Sequence, residues 1–516
     1  MRRTALVAAV PVAFLGYFFL YPLGTILVTA LEPGSMGEAL SSARVRGAAW
    51  FTVWQAVAST VLTVLFALPL TAVISRFDFP GRSLVRALVT VPFVLPTVVV
   101  GSAFIALGAR GSVWAILAAH VFFNTAVVVR TVSNVWARLD PDLAATARVL
   151  GAGRLRTFTK VTLPLLAPSI AAAASIVFLF CFTSFGVVLL LGDLGLRTLE
   201  VEIYRQAVTF LDLSTAGAVA VLQLVGVIGV MVLYQRIQER RSVRLRLVAE
   251  RDVLRRPEGP AERALVSGVV GGTLLGLAIP LAVLVARSFR GGVAGWRFLA
   301  DPGALATRPA EAIGNSLGFA LVAALVAVAV GGLASVVVTR RGSRIGRWFD
   351  VVLMLPLGTS AVTIGFGFLL ALDVPIDLRT SILLVPIAHA LVAVPFVVRS
   401  VVPTLQAIRD ELREAAAVLG ADPRRVWREI DLPLTLRALA VGGGFAAAVS
   451  LGEFGATAFL ARPESATIPT LIFRLLSRPG TVTFTGAMAL SVVLMLATTG
   501  LVLAMDRFRT ADLGTF

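Results

Sequence analysis

Three ionisable residues stand inside long apolar stretches of the chain and could act on a ligand there. Glu453 lies in the run SLGEFGATAFL, and His120 and His389 lie in two other apolar segments. A carboxylate within a membrane is rare and marks a functional candidate. If Glu453 lies beside a substrate pathway, its negative charge would favour a cation as the substrate. Helix packing or gating explains Glu453 at least as well, and hydrogen-bonded core positions explain the histidines. Two histidines fall short of the three or four ligands of a usual metal site, so we predict no metal.

Aromatic side chains accompany these residues and could stack on an aromatic cation. They are Phe180, Phe182, Phe185 and Phe454. Packing against neighbouring helices is the alternative explanation for phenylalanines in a membrane. The sequence shows no clustered His, Asp and Glu set of the kind that an enzyme uses, so we predict no catalytic residues.

Transmembrane helices must position all of these residues. The composition is 58% hydrophobic and 15% charged, and the mean hydropathy is +0.91, which excludes a soluble protein of this size. Twelve apolar stretches approach or exceed the roughly 20 residues that a helix needs to cross hydrocarbon. They lie near 5–31, 48–75, 85–108, 112–134, 164–192, 214–235, 265–287, 313–339, 348–372, 380–402, 434–461 and 482–505. The predicted fold class is an all-α polytopic membrane protein surrounded by lipid.

Positive charge is concentrated in the predicted loops. The net charge is +17, and residues 236–263 contain nine arginines. Because arginine-rich loops stay on the cytoplasmic side, this segment and both termini are predicted to lie inside, and the loop 193–212 outside. Membrane orientation therefore replaces nucleic-acid binding as the explanation of the charge. The first apolar stretch is longer than the core of a signal peptide and is predicted to be retained.

The two halves of the chain align at a constant displacement, which indicates an internal repeat. His120 pairs with His389, and Arg130 with Arg399, each 269 residues further on. Other pairs at this displacement are Gly151 and Gly420, Pro164 and Pro433, Ser184 and Glu453, Phe185 and Phe454, and Gly217 and Gly486. Upstream the displacement is 264, so about five residues have been added near 373–377.

The repeat predicts two domains of six spans each, at 1–235 and 264–516, joined by the arginine-rich linker 236–263. Because six is even, both domains would have the same orientation. Parallel repeats are related by an axis along the membrane normal, where a pathway commonly runs. A two-fold array without a pore is the alternative. Ser184 at the position that matches Glu453 shows that only one half carries the acid.

A polar stretch, ELREAAAVLGADPRRVWREIDLP at 411–433, interrupts the apolar pattern of the second half. We predict a short helix near 410–419 that ends at Gly420 in the left-handed conformation. Asp422 would then cap a second amphipathic helix with Pro423 at its first position, and Pro433 would mark re-entry into the bilayer. The first half repeats this spacing in LAATARVLGAGRLRTFTKVTLP at 143–164. An amphipathic loop that lies in the lipid headgroups is the alternative.

The pattern E-A-A-x-x-x-G-x(9)-I-x-L-P resembles the cytoplasmic loop of permease subunits of bacterial ATP-binding-cassette importers. The resemblance implies that loops 142–163 and 411–432 each dock on a cytoplasmic ATPase subunit, so two copies of that subunit are expected. The residues that it assigns to ATPase coupling are Ala145, Ala147, Gly151 and Ala152 in the first loop, and Glu414, Ala415, Ala416, Gly420, Ala421 and Asp422 in the second. Ala145 stands where the family has glutamate, which leaves that contact in doubt in the first half.

No conventional ATP-binding loop accompanies these docking elements. Lys160 is preceded by RLRTFT and not by the glycine-rich sequence that cradles phosphates. The chain itself is therefore predicted to be neither an enzyme nor a cofactor-binding protein, with ATP and Mg²⁺ bound by the partner subunit.

With its two fused six-span halves, the chain resembles the fused permeases of the thiamine and iron(III) importers. The stretches AHVFFN (119–124), FCFTSFGVVLLLG (180–192) and RTLEVEIYRQAVTF (197–210) are most similar to thiamine permeases. This resemblance implies a bacterial inner membrane location and an external binding protein that delivers the substrate. Iron(III), other small cations and oxyanions remain alternative substrates. A secondary transporter is the rival from another class, although it would be expected to place ionisable residues or broken helices in both halves.

Overall fold

A computed structural model describes residues 2–193, 195–241, 248–300, 307–339, 344–374 and 376–510. Residues 242–247 of the predicted linker and residue 375 of the predicted insertion lie outside the described part. The described residues are mostly helical, and the β-structure among them is one isolated bridge between Phe77 and Arg255. The all-α prediction is confirmed.

The first half begins with α1, which runs through Arg2–Leu15, a π-helical turn Gly16–Leu20, and Tyr21–Ala30. The helices that follow are α2 (Ser35–Ser41), α3 (Ala43–Arg76), α4 (Arg82–Val94), α5 (Thr97–Ala106), α6 (Val113–Trp136), α7 (Pro141–Val149), α8 (Arg154–Phe182), α9 (Gly186–Leu191), α10 (Leu199–Tyr204, continued by the π-helical Arg205–Phe210) and α11 (Leu213–Arg241).

The linker contains α12 (Glu250–Val253). The helices of the second half are α13 (Gly259–Ser288), α14 (Ala294–Ala300), α15 (Pro309–Val338), α16 (Arg344–Gly358), α17 (Ala361–Ala371), α18 (Leu384–Ala407), α19 (Asp410–Val418), α20 (Pro423–Gly452), α21 (Gly455–Leu460), α22 (Ile468–Leu476) and α23 (Thr481–Thr510). A 3₁₀ turn at Leu378–Thr380 precedes α18.

Ten helices of the described chain are long and apolar enough to cross a membrane, and two bent pairs raise the number to twelve if each pair is one span. The bent pairs coincide with the predicted spans 85–108 and 348–372. The first bends by 95° between α4 and α5, and the second by 94° between α16 and α17. Pro96 explains the first bend, because a proline disfavours helical geometry in the residue before it. Ser360 begins the helix after the second bend, where its hydroxyl accepts a hydrogen bond from the Thr363 N–H at 3.1 Å.

Four other predicted segments differ from the structure. The spans 164–192 and 434–461 stop at Phe182 and Gly452, and the short helices α9 and α21 follow after a break. Segment 193–212, predicted to be an external loop, contains the largely buried helix α10. No separate amphipathic helix ends at Pro433, because α20 continues past it. A π-helical turn, Trp427–Asp431, changes the register immediately before this proline, and a proline near the start of the next segment loses no essential hydrogen bond.

The two halves pack in the same way. Helices α3, α6 and α8 form a mutually packed core in the first half, and α15, α18 and α20 form the corresponding core in the second. The first helix of each half crosses to the other half: α1 packs against α15 and α17, whereas α13 packs against α3 and α5. This reciprocal exchange ties the two halves into one bundle.

The linker is attached to the first half by backbone and side-chain contacts. The Asp78 N–H donates to the Arg255 carbonyl at 2.9 Å, and the Arg255 N–H donates to the Arg76 carbonyl at 3.1 Å. Glu250 on α12 accepts hydrogen bonds from Arg82 and from Arg86, the latter at 2.8 Å. The described part of the linker at 248–255 is therefore attached over the start of α4, and we call it the strap.

Acidification is expected to loosen this strap. Partial burial acts to raise the pKa of Glu250, but the hydrogen bonds from Arg82 and Arg86 outweigh it and hold the pKa below its ordinary value. Because the pKa is lowered in the folded state, the stabilisation is fully present above the ordinary glutamate pKa and is lost as pH falls through the lowered value. Glu250→Gln should lower the stability of the strap by about 1 kcal/mol or less at neutral pH, because the ion pairs of Glu250 with Arg82 and Arg86 are partly exposed.

Hydrogen exchange of residues 248–255 in detergent solution would measure this effect. We expect protection to fall by up to about 5-fold in Glu250→Gln. Glu258→Gln, also in the linker, serves as the control. Equal protection in wild type and Glu250→Gln would show that the ion pair does not hold the strap.

Candidate functional site

Each half has one exposed helix–turn–helix segment that connects two of its core helices, α6 to α8 in the first half and α18 to α20 in the second. We call these two matching segments the elbows. The first elbow is residues 142–163 and the second is residues 411–432. In each, a short helix ends at a glycine in the left-handed conformation: φ is +84° at Gly151 and +83° at Gly420. Nothing lies within 4 Å of a Cβ built on either glycine, so the backbone angle alone demands glycine.

Both elbows close with the same hydrogen bonds, those of the Schellman motif. In the first, the Ala152 N–H donates to the Ala147 carbonyl at 3.0 Å, and in the second the Ala421 N–H donates to the Ala416 carbonyl at 3.0 Å. Asp422 caps the start of α20 by accepting from the Arg425 N–H at 2.7 Å. The predicted helix end and cap of the second elbow are therefore confirmed.

A hydrophobic pair projects from each elbow, and sequence reasoning missed both. Val149 and Leu150 are 87% and 81% exposed, and Val418 and Leu419 are each 87% exposed. Glu414 and Ala415 are also exposed, whereas Ala145, Ala147, Ala152, Ala416 and Ala421 are partly covered. The identical sequence VLGA at 149–152 and 418–421 was the signal that could have identified these pairs.

The second elbow is braced by an ion pair that the first elbow lacks. Arg413 Nε donates to Asp431 Oδ1 at 2.9 Å, which joins α19 to α20. Ala144 and Thr162 occupy the matching positions of the first half, so they cannot form this bond. The two elbows thus share a backbone shape but differ in how rigidly side chains hold it.

A second candidate site lies where the halves meet. The rings of Phe185 and Phe454, which the repeat relates, stack with centroids 5.4 Å apart at 28°. Tyr204 packs edge-on against Phe185 at 5.5 Å, and Phe473, its repeat partner, packs against Phe454 at 5.6 Å. Phe459 contacts Tyr204 at 5.4 Å. We call these five residues the aromatic cluster.

Close packing around the aromatic cluster shows that the halves are closed against each other. Phe185 is 6% exposed and Phe454 is 2% exposed. A Cβ on Gly452 would lie 3.3 Å from Pro96 Cγ of the other half, and one on Gly186 would lie 3.4 Å from Phe454 Cδ1 of the other half. Of the predicted stacking residues, Phe180 and Phe182 do not join this cluster: they contact Phe93 and Phe178.

Both histidines are hydrogen-bonded core residues beside the helix breaks. His120 lies 2.9 Å from Ser59 Oγ and 2.8 Å from Ser184 Oγ. His389 lies 2.7 Å from Ser450 Oγ and 2.7 Å from Thr457 Oγ1. This geometry agrees with the core-packing interpretation. Within the described residues, no group of three or more His, Cys, Asp or Glu could hold a metal ion.

Glu453 is used by the backbone of α21. Its Oε1 accepts from the Ala456 N–H at 3.2 Å, and its Oε2 accepts from the Thr457 N–H at 3.2 Å and from Thr457 Oγ1 at 3.0 Å. His389 Nε2 lies 3.4 Å from the same oxygen. The carboxylate thus stabilises the helix break, and a direct role in a pathway remains a prediction.

Two further buried acids lie on α10 and were missed in the sequence. Glu200 is 0% exposed and Glu202 is 1% exposed. Glu202 pairs with Arg197 Nε at 3.1 Å and accepts from Gln206 Nε2 at 2.7 Å. The signal was the pair of acids in TLEVEIYR, which the assignment of 193–212 to a loop concealed.

The chain is a duplicated bundle of membrane-spanning helices whose two halves pack against each other, and each half has one exposed elbow. These features are typical of one class of protein, the polytopic membrane permease. The chain belongs to the family of binding-protein-dependent transport system inner membrane components, whose model matches residues 67–243 and 327–510. It is therefore the multi-pass permease subunit of an ATP-binding-cassette importer of the inner membrane. The family also implies an ATPase and a binding protein as partners.

Similar proteins include relatives of nearly the same length. The thiamine transport system permease protein ThiP of Brucella abortus (strain 2308) is 30% identical over 98% of this chain and 97% of the relative. ThiP of Escherichia coli (strain K12) is 26% identical over 82% of both chains. A probable molybdenum permease of Haloferax volcanii is 33% identical over 41% of this chain and 81% of its own length. The predicted family is confirmed.

Proposed function

We propose that this permease imports thiamine or its phosphates. The observation that carries this proposal is the similarity to thiamine permeases over 98% of the chain, which includes both halves and both helix breaks. The aromatic cluster at the closed contact between the halves suits an aromatic cation. Iron(III), another small cation or an oxyanion remains the alternative substrate. The partial similarity to a probable molybdenum permease supports an oxyanion as the alternative substrate.

The proposed cycle requires two copies of a cytoplasmic ATPase, one at each elbow, and an external binding protein. ATP and Mg²⁺ bind to the ATPase, and this chain contributes neither a cofactor site nor a catalytic residue. Both termini and the linker lie in the cytoplasm. Closure of the ATPase dimer draws the two elbows together, and because each elbow continues directly into a core helix, α8 or α20, this motion parts the halves at the aromatic cluster.

Uptake of radiolabelled thiamine into proteoliposomes that hold the permease, its ATPase and its binding protein tests the proposal. We expect ATP-dependent uptake that excess unlabelled thiamine abolishes and that iron(III) or molybdate leaves unchanged. Competition by molybdate alone would favour the oxyanion alternative. Full uptake without the ATPase would contradict the importer mechanism and favour a secondary transporter.

A further inference from the structure

The strongest unassigned feature is a buried acid that faces the other half. Glu200 on α10 is 0% exposed, and each of its carboxylate oxygens accepts one hydrogen bond. Oε1 accepts from Gln223 Nε2 of α11 at 2.9 Å, and Oε2 accepts from Ser360 Oγ at 2.7 Å. Ser360 belongs to the second half, where it begins α17. The second of these bonds therefore crosses the contact between the halves.

Glu200 lacks the positive partner that its neighbour has. Glu202, two residues on, pairs with Arg197, but among the described residues no cation pairs with Glu200. Gln223 beside it is 1% exposed, and its Oε1 has no hydrogen-bond partner in the described part of the chain. Isolated carboxylates and unpaired acceptors are costly to bury. The site thus holds a carboxylate without a counter-charge and an unpaired acceptor, both of which a nearby cation would stabilise.

The acid and the aromatic cluster share one helix face. Glu200 and Tyr204 are four residues apart on α10, a spacing that places side chains side by side. Tyr204 contacts Phe185 of its own half and Phe459 of the other. A carboxylate next to several aromatic rings is the combination that recognises organic cations, since charge and ring faces both attract them.

The site exists in one half only. The residues that match Glu200 and Gln223 in the second half are Pro469 and Val492, and the residue that matches Ser360 in the first half is Pro96. A symmetric packing role would have been available to both halves. The asymmetry fits a single ligand that passes between two unlike walls.

We propose that Glu200 is the counter-charge for a cationic, aromatic substrate, which replaces the Ser360 hydroxyl at the carboxylate when the halves part. This inference rests on the proposed function, because thiamine carries a permanently charged ring. In the closed state Ser360 and Gln223 satisfy the carboxylate. When the halves separate, the bond to Ser360 breaks, and the freed oxygen faces the space that opens beside Tyr204.

The test compares thiamine with its neutral deaza isostere, in which a carbon replaces the charged ring nitrogen. Uptake of each is measured in proteoliposomes with the complete transporter, and the ratio of the two rates is compared among variants that share one binding protein, so that selection by that protein cancels. Glu200→Gln keeps the size of the side chain and removes its charge. We expect it to lower thiamine uptake about 10-fold or more, as the loss of about 1.4 kcal/mol of attraction would, and to spare the isostere.

Three further variants separate charge from structure. Glu200→Asp keeps the charge and should keep the preference for thiamine even if total uptake falls. Ser360→Ala removes the bond across the halves and should also keep the preference. Glu32→Gln, an exposed acid elsewhere in the first half, controls for loss of one negative charge.

Two results would overturn the inference while leaving the proposed function intact. One is an unchanged ratio of the two uptake rates in Glu200→Gln, whether the uptake of both compounds falls equally or does not fall. The other is a lost preference for thiamine in Glu200→Asp. A wild-type transporter that imports molybdate but no thiamine would instead overturn both proposals.

Discussion

Replacement of Leu150 and Leu419 by aspartate is expected to abolish ATP-driven uptake and to release the permease from its ATPase. Each leucine is more than 80% exposed at the tip of an elbow, next to a valine that is equally exposed. Burying one leucine in a partner's cleft contributes about 1.5–3 kcal/mol, so two leucines that dock as proposed would together supply a large part of the docking energy. A buried, unpaired aspartate adds a penalty. We expect affinity for the ATPase to fall at least about 100-fold.

Co-purification of the ATPase with the permease, followed by uptake in proteoliposomes, measures this loss. Leu31→Asp is the matched control, because Leu31 is 79% exposed but follows α1, away from the elbows. Single variants should each retain partial coupling, since one elbow remains intact. If the double variant binds the ATPase and transports as the control does, the elbows do not form the docking surface.

The elbows show where sequence reasoning succeeds. Gly151, Gly420 and Asp422 act through the backbone of their own turn, so their residue type and spacing specify the conformation without any distant contact. Because the glycine recurs at the same spacing in both halves, the repeat supported the prediction a second time. The valine and leucine pairs were missed for a related reason: apolar residues on an amphipathic helix are normally assigned to its buried face, and only the three-dimensional structure shows that these face outward.

The contact between the halves was harder to predict because its geometry depends on the tertiary fold. Hydropathy averages over about 20 residues, so it cannot locate a bend such as those at Pro96 and Ser360. It also cannot identify a six-residue buried segment such as the start of α10, and Glu200 was hidden with it. Phe185 and Phe454 were paired by the repeat, but their stacking follows from how the two halves pack, which no local pattern encodes.

Loss of the central ring stack is expected to open the permease in the absence of its binding protein. In the double variant Phe185→Ala and Phe454→Ala, the two stacked rings that close the halves are both removed. A buried phenylalanine contributes about 3–5 kcal/mol through packing, and part of that favours the closed state only. If about 3 kcal/mol is lost from the closed state, the open population rises on the order of 100-fold. Substrate uptake without the binding protein, and ATP hydrolysis without substrate, should both increase.

Phe180→Ala is the matched control for this opening. It removes the same side chain from α8 of the same half, but Phe180 is 40% exposed and contacts Phe93 outside the aromatic cluster. We expect its uptake to depend on the binding protein as in wild type. Because Phe185 and Phe454 occupy matching positions, each single variant should give a similar, smaller increase. A double variant that stays silent without the binding protein would show that these rings fill space between the halves without holding them shut.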